Sequence, residues 1–440
     1  MDYDLVRAND AELIRRLRGL HPSLIDFSTG RIKRLLAALG DPQKKLTAVI
    51  HVAGTNGKGS TTAFLRAIGE AAGLSVHCLT SPHLVRFAER IRLAGKLIGE
   101  DRLSELVNRA EAANDDQPIS FHEMVTAIAI LGFSETPADL CVIEVGMGGR
   151  FDCTNVFDTP AVSVITPVDF DHVETLGPNL SNIAWEKAGI IKASRPCVLA
   201  EQQPEALAVI EAEARAIGAP LTLLGRDVHV EQREGRLCIS RASRDLYLPP
   251  PALFGPHQFR NAALAVAAYL EFDPKADERA LASGLSGAVW PGRFQELKSG
   301  PYAIASRACG ARLFLDGAHN PHGGRALAKT IESLLEIDPR PVAMIVGMFA
   351  RKDAAGFFAP FAPLRPNVVT VGFDAPTAAS PEDLAQTAKH AGLKARMAPS
   401  IDAAVQEALS AAAGPQYVVI CGGLHFAGEI LARTPESWPQ

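Results

Sequence analysis

A chain of 440 residues has length for two or three domains of roughly 100–200 residues each, which excludes a single small module. Apolar residues make up 47% and charged residues 21%, which excludes a disordered or fibrous class. Lys plus Arg number 44 against 49 Asp plus Glu, so the formal net charge of -5 leaves no global basic field for nucleic acid or an anionic membrane.

The chain opens MDYDLVRAND, with acids where a secretory leader needs a basic start and an apolar stretch, so a cytoplasmic location is expected. From residue 46, LTAVIHVAG, TNGKGSTT and AFLRAIGEAAG read as an apolar strand, a glycine-rich turn and a helix closed by Gly73. Strand-type runs follow at 75–80, 140–145, 161–167 and 196–200, with helical segments at 101–113, 121–133 and 181–191 between them. Such alternation predicts an α/β fold whose mostly parallel sheet is covered by helices. The charged, alternating text at 228–248, with Glu234-Gly235 at its turn, predicts a hairpin. Helices at 257–270 and 277–286 lead to WPGRFQEL at 290–297, and LKSGPYAIASRACGAR is expected to be a connecting hairpin or linker. A second αβ series starts at RLFLDG and runs through a helix to 336, PVAMIVGMF, NVVTVGF and helices at 381–391 and 401–412 to YVVICGG. Two domains, 1–297 and 298–440, are therefore expected, joined near 297–300. Apolar stretches such as VTAIAILGF fall well short of the ~20 residues of a membrane span. Cysteines at 78, 141, 153, 197, 238, 309 and 421 form no CxxC pairs, as expected of reduced core residues rather than a zinc site.

Gly54-Thr55-Asn56-Gly57-Lys58-Gly59-Ser60 lies between predicted strand and helix, where backbone N–H groups can cradle a polyphosphate and Lys58 can neutralise its oxygens. It departs from the general P-loop pattern twice: Val52 takes the first glycine position, and Gly59 follows the lysine where Ser or Thr is expected. Glu144 closes LCVIEV ahead of Gly146-Met147-Gly148-Gly149-Arg150-Phe151-Asp152. A carboxylate at a strand's carboxyl end reads either as a Mg²⁺ ligand or as a cap on that glycine-rich turn. Val168-Asp169-Phe170-Asp171-His172 again ends a strand, while Glu186 to Lys192 by itself resembles an ordinary charged helix end. Thr80-Ser81-Pro82-His83-Leu84 and Asp316-Gly317-Ala318-His319-Asn320-Pro321, read singly, are turn chemistry.

Together the motifs say more. GTNGKGS, TSPHL, EVGMGGRFDCTN, DHVETLG, EKAGIIK, HQFRNAALA, WPGRF and LDGAHNPHG, in this order and spacing, resemble the folylpolyglutamate synthase and dihydrofolate synthase family of the Mur ligase superfamily. The resemblance implies an ATP-binding P-loop domain and then a smaller Rossmann-like αβ domain, with the active site in the cleft between them. It implies ligation of L-glutamate to dihydropteroate, to a reduced folate or to both, through an acyl phosphate, by a monomer that uses ATP, Mg²⁺ at two sites and K⁺.

By resemblance, Lys58 and Ser60 meet the phosphates and first metal, with Ser81 and Glu144 as further Mg²⁺ ligands. His172 and Lys187 fall at the second metal, and the EKAG lysine of this family is carbamylated. Asn261 would face the adenine, Arg293 and Asp316 would reach the nucleotide from opposite sides of the domain boundary, and His319 would add positive charge. Pro82, His122, Asp152 and Cys153 fall at substrate positions, the last two lining the pterin pocket of bifunctional members. Phe121-His122-Glu123 departs from the two aromatics that relatives place before the acid, although His122 can still stack. A peptidoglycan-precursor ligase would need a longer segment before Gly54, and a P-loop regulatory protein would have no need of His172, Lys187, Asp316 and His319.

Overall fold

The computed structural model describes residues 3–19, 28–241, 244–411 and 414–438. It forms two compact units: one runs to Ala252 and takes in Phe259–Val289, and the other comprises Leu253–Gln258 and the chain from Trp290.

The first unit is built on eight strands: β1 (Ala48–Ala53), β2 (Val76–Leu79), β3 (Ile91–Leu93), β4 (Lys96–Leu97), β5 (Leu140–Glu144), β6 (Val162–Ile165), β7 (Cys197–Leu199) and β8 (Leu221–Leu223). Their order is β4-β3-β2-β5-β1-β6-β7-β8, parallel from β2 to β8, with β3 and β4 antiparallel at one edge. β5 and β6 are buried throughout, which is why LCVIE and VSVI read as apolar runs rather than alternations. On one face, Val49, Leu79, Cys141 and Ile143 pack with Ile32, Leu35, Leu106 and Ile128 of the helices Gly30–Ala38, Glu100–Asn114 and Phe121–Glu135. Farther along, Ala53 and Ile165 pack with Ile183 and Ile210 of the helices Leu180–Ala188 and Pro204–Ile217.

The helix Lys58–Ala71, which follows the glycine-rich loop, is fixed by the helix Glu278–Gly287 crossing it at Gly284. A Cβ at Gly284 would lie 2.4 Å from Ile68 Cα and 2.6 Å from Ile68 N, and backbone cannot move aside cheaply. Gly284→Ala is expected to destabilise the first unit by about 1–3 kcal/mol through overpacking, read as a lower urea midpoint at unchanged slope.

The expected hairpin at 228–248 is a three-stranded antiparallel sheet, β9 (Val228–Arg233), β10 (Arg236–Arg241) and β11 (Arg244–Leu248). Its first turn is Glu234-Gly235, both with positive φ, as a two-residue hairpin requires; the second turn, 242–243, lies outside the described residues.

The second unit holds β12 (Gln295–Glu296), β13 (Arg312–Leu315), β14 (Val342–Val346), β15 (Asn367–Val371), β16 (Lys394–Ala398) and β17 (Tyr417–Cys421), in the order β12-β13-β17-β14-β15-β16. All pairings are parallel except that of β12 with β13. Two expectations are corrected here. The chain joins the second unit at Trp290 rather than near 297–300, because Gln295 and Glu296 pair with Leu315 and Phe314, and Phe294 stacks on Phe314 at 4.6 Å. LKSGPYAIASRACGAR is neither hairpin nor linker: Gly300–Ala308 is a helix, with Pro301 in its first turn and Tyr302, Ala303 and Ser306 buried along one face. All seven cysteines are free, but Cys309 is exposed rather than in a core. Among the described residues no helix is long and apolar enough to cross a membrane.

Candidate active site

The loop after β1 needs glycine at two places. Gly54 has φ +137, and a Cβ there would meet Thr166 Oγ1 at 1.9 Å; Gly57 has φ +92, and a Cβ would meet Asn261 Oδ1 at 2.6 Å. These approaches put Thr166 and Asn261 against the loop, with Asn56 between the two glycines and Gly59 and Ser60 in the buried first turn of the helix Lys58–Ala71. Thr55 Oγ1 donates to the Asp169 carbonyl at 2.9 Å and accepts from Asp169 N at 3.1 Å, tying the loop to the end of β6. Backbone N–H groups in the opening turn of that 14-residue helix have no intrahelical acceptors, so the loop suits a polyphosphate.

Two lysines share one carbonyl here. Lys58 Nζ donates to Gly54 O at 3.1 Å and to Thr55 O at 3.3 Å, and Lys187 Nζ donates to the same Gly54 O at 3.0 Å. Lys187 is 4% exposed, which rules out a solvent-facing lysine at an ordinary helix end. Burial, then the neighbouring Lys58, lowers its pKa to about 7 against the opposing pull of Asp171, Glu186 and Asp152. The EKAG helix is approached closely by the glycine-rich turn: a Cβ at Gly149 would lie 2.7 Å from Glu186 O, and Arg150 N donates to that oxygen at 2.7 Å. His172, in a left-handed conformation, has Nε2 4.0 Å from Asp171 Oδ2.

Glu144 ends β5 buried, and its Oε2 accepts the Ser81 N–H at 3.2 Å, next to the cis Ser81–Pro82 bond. Ser81, His122 and Asp152 converge on Gly146, where a Cβ would lie 3.9 Å from Ser81 Oγ, 3.9 Å from His122 Nδ1 and 3.2 Å from Asp152 Oδ2. Asp152 accepts from Met147 N at 2.9 Å, Thr154 N at 2.9 Å and Thr154 Oγ1 at 2.5 Å. Thr154 Oγ1 in turn lies 2.9 Å from Nε2 of His51, a fully buried residue of β1 that sequence reasoning passed over as part of an apolar run. Although the His122 side chain is solvent-exposed, desolvation by its surroundings, helped by Arg90 and opposed by Asp152, lowers its pKa to about 4, so its ring is a neutral stacking surface. Cys153 packs with its Sγ 3.1 Å from Thr126 Oγ1, and burial pushes its thiol well up.

Arg293, Asp316 and His319 form a cluster within the second unit, so Arg293 and Asp316 do not lie on opposite sides of the boundary. Asp316 accepts from Phe294 N and Ala318 N, both at 2.8 Å; burial raises its pKa against Arg293 and these bonds. His319 Nδ1 lies 2.9 Å from Gly317 O, and Asn320 caps the helix Pro321–Ile337 by accepting Gly323 N–H at 2.8 Å. His257, whose HQFRN motif pointed to Asn261 instead, is half-buried beside this cluster; desolvation and then His322 and Arg293 bring its pKa to about 4.

No cluster of three or more His, Cys, Asp or Glu side chains suited to a metal occurs among the described residues. Mg²⁺ does not need one, because it takes one or two carboxylates and completes its shell with water and phosphate oxygens. Glu144 beside Ser81, together with a loop whose cradle a Cβ would fill, fits that mode of binding.

The Mur ligase middle domain matches residues 52–269, and the Mur ligase glutamate ligase domain matches residues 292–424. A dihydrofolate synthase/folylpolyglutamate synthase of Bacillus subtilis (strain 168) is 40% identical over 331 residues, covering 71% of this chain and 73% of its own. The structure of E. coli FolC in complex with DHPP and ADP has a TM-score of 0.85 at 31% identity, covering 96% of each chain. A bifunctional folylpolyglutamate synthase/dihydrofolate synthase with Mn, AMPPNP and L-glutamate bound has a TM-score of 0.83 at 32% identity, covering 96% of this chain and 97% of its own. Two domain matches in the expected order, with relatives alike along nearly the whole length, place this chain in the dihydrofolate synthase/folylpolyglutamate synthase family of Mur ligases.

Proposed function

We propose that this protein joins L-glutamate to dihydropteroate, to the glutamate tail of a reduced folate, or to both, with ATP converted to ADP. The observation that carries the reading is the Gly54 carbonyl shared by Lys58 and Lys187, beside a pocket edge where Ser81, His122 and Asp152 converge. Ligand sets of similar proteins support it: DHPP and ADP in one, a nucleotide analogue, Mn and L-glutamate in another.

A carboxylate is a poor electrophile, so it must first accept the γ-phosphoryl group to become an acyl phosphate, which the glutamate amine then attacks. In this reading the loop 54–60 holds the phosphates, Lys58 balances their charge and Asn261 lies where the adenine docks. Glu144, Ser60 and Ser81 hold Mg²⁺, whose contribution when bound is to offset negative charge on the phosphates. Asp152 and the neutral His122 recognise the pterin, and Arg293, Asp316 and His319 serve the nucleotide and the transferred phosphate. Lys187 is proposed to act as its carbamate, an anionic oxygen ligand beside His172.

Offering dihydropteroate and tetrahydrofolate separately, with Mg·ATP and glutamate, tests the function. Glutamate-dependent ADP release with a product heavier by one glutamyl unit is expected from at least one of them. ADP release independent of both acceptors, or none, would overturn the reading.

A further inference from the structure

Arg90 stands next to this site without a role. It lies just before β3, and its carbonyl accepts the Thr80 N–H at 2.9 Å, which places it beside the turn carrying Ser81. It is 5% exposed. Its Nε donates to His83 Nδ1 at 2.7 Å, and its guanidinium carbon lies 5.3 Å from the centroid of Phe121, over which Arg18 also sits at 5.7 Å. Among the described residues nothing accepts a hydrogen bond from its two Nη atoms.

The carboxylates around Arg90 are otherwise engaged. Glu89 is folded back onto the backbone, accepting from Leu84, Val85 and Arg86 N–H groups at 2.7, 2.9 and 2.6 Å. Glu144 accepts from Ser81. The guanidinium is otherwise enclosed, and its two Nη groups are left to solvent, where a planar anion can take both Nη–H groups side by side. Burial depresses the Arg90 pKa to about 10, so it stays a cation at neutral pH.

We propose that Arg90 binds the arylcarboxylate of dihydropteroate, the group that is to be phosphorylated, and so orients the acceptor substrate. The inference rests on the function proposed above. Arg90, held over the Phe121 ring and by His83, supplies a cation matched to the charged end of such a molecule. Once the acyl phosphate has formed, the same donors face the oxygen on which charge develops when the amine attacks.

Calorimetry with two ligands tests this: dihydropteroate, and the same N-aryl pterin lacking the carboxylate. The wild-type protein is expected to prefer the acid by about 10- to 100-fold, as a charge-assisted hydrogen bond implies. Arg90→Met should erase that preference while binding Mg·ATP normally, and Arg90→Lys should retain part of it and carries the same comparison if the methionine variant does not fold. Equal weakening of both ligands, or an unchanged preference for the acid, overturns the proposal. A wild-type protein that binds neither ligand would overturn this proposal together with dihydropteroate as an acceptor, whereas a lost preference in the wild type alone overturns the role of Arg90.

Discussion

Lys58→Ala and Glu144→Gln are each expected to lower turnover by about 10²–10³-fold or more, with far-UV circular dichroism and thermal midpoint little changed. Lys58 is partly exposed and bonded only to loop carbonyls, so its loss removes a charge from the phosphate site without opening a core. Glu144→Gln is nearly isosteric and keeps an oxygen for the Ser81 N–H, so the turn should persist. What the glutamine lacks is the charge proposed to hold Mg²⁺. Steady-state ADP release beside the spectroscopic controls is the measurement, and wild-type rates in either variant would remove these residues from the site.

Lys187→Ala is expected to abolish activity, with partial rescue by a short carboxylic acid such as acetate. An ammonium ~4 Å from Mg²⁺ would be repelled by about 8 kcal/mol at an effective dielectric near 20, counting the metal's double charge. Its neighbour Lys58 on the same carbonyl adds to that repulsion. Carbamylation removes the charge: the neutral amine's lone pair attacks CO₂, a C–N bond forms and one proton leaves to solvent, giving a carbamate anion. The reaction requires the unprotonated amine. With its pKa brought down to about 7, Lys187 offers that form at neutral pH and loses it as the pH falls below 7. Crystals grown with CO₂ should therefore show density beyond Nζ. An unmodified lysine together with near-normal kinetics in the alanine variant would refute the carbamate.

The strand, loop and helix from 48 to 71 were legible because apolar and turn residues there follow their physical periods and Gly54 and Gly57 cannot be replaced. Lys187 was not legible from pattern alone: a lysine in the last turn of a short helix looks solvated, and only the family resemblance singled it out. LKSGPYAIASRACGAR was expected to be a hairpin or linker, yet its Pro301 belongs to a helix's first turn, where its missing N–H costs nothing. The boundary was misplaced because β12 has two residues, too few to show a period. His51 and Arg90 were missed for opposite reasons. One is hidden in an apolar strand, and the other looks like any surface charge in AERIRL until its burial is seen.

The hydrogen bonds running from β1 to Asp152 have a fixed direction. Thr154 has one hydroxyl hydrogen and gives it to Asp152, so His51 must donate from Nε2 to the Thr154 oxygen. Burial brings the His51 pKa to about 3, so this imidazole cannot gain a second proton in the cell and reverse the chain. His122, across the same carboxylate, is likewise neutral there, with its pKa brought to about 4. His51, fully buried, acts only through Thr154, which it holds in one orientation against Asp152 from mildly acidic to mildly basic conditions. Under the function proposed above, sensitivity to proton concentration would be separated in space: acceptor recognition would be insulated from it, and the response would be concentrated at Lys187.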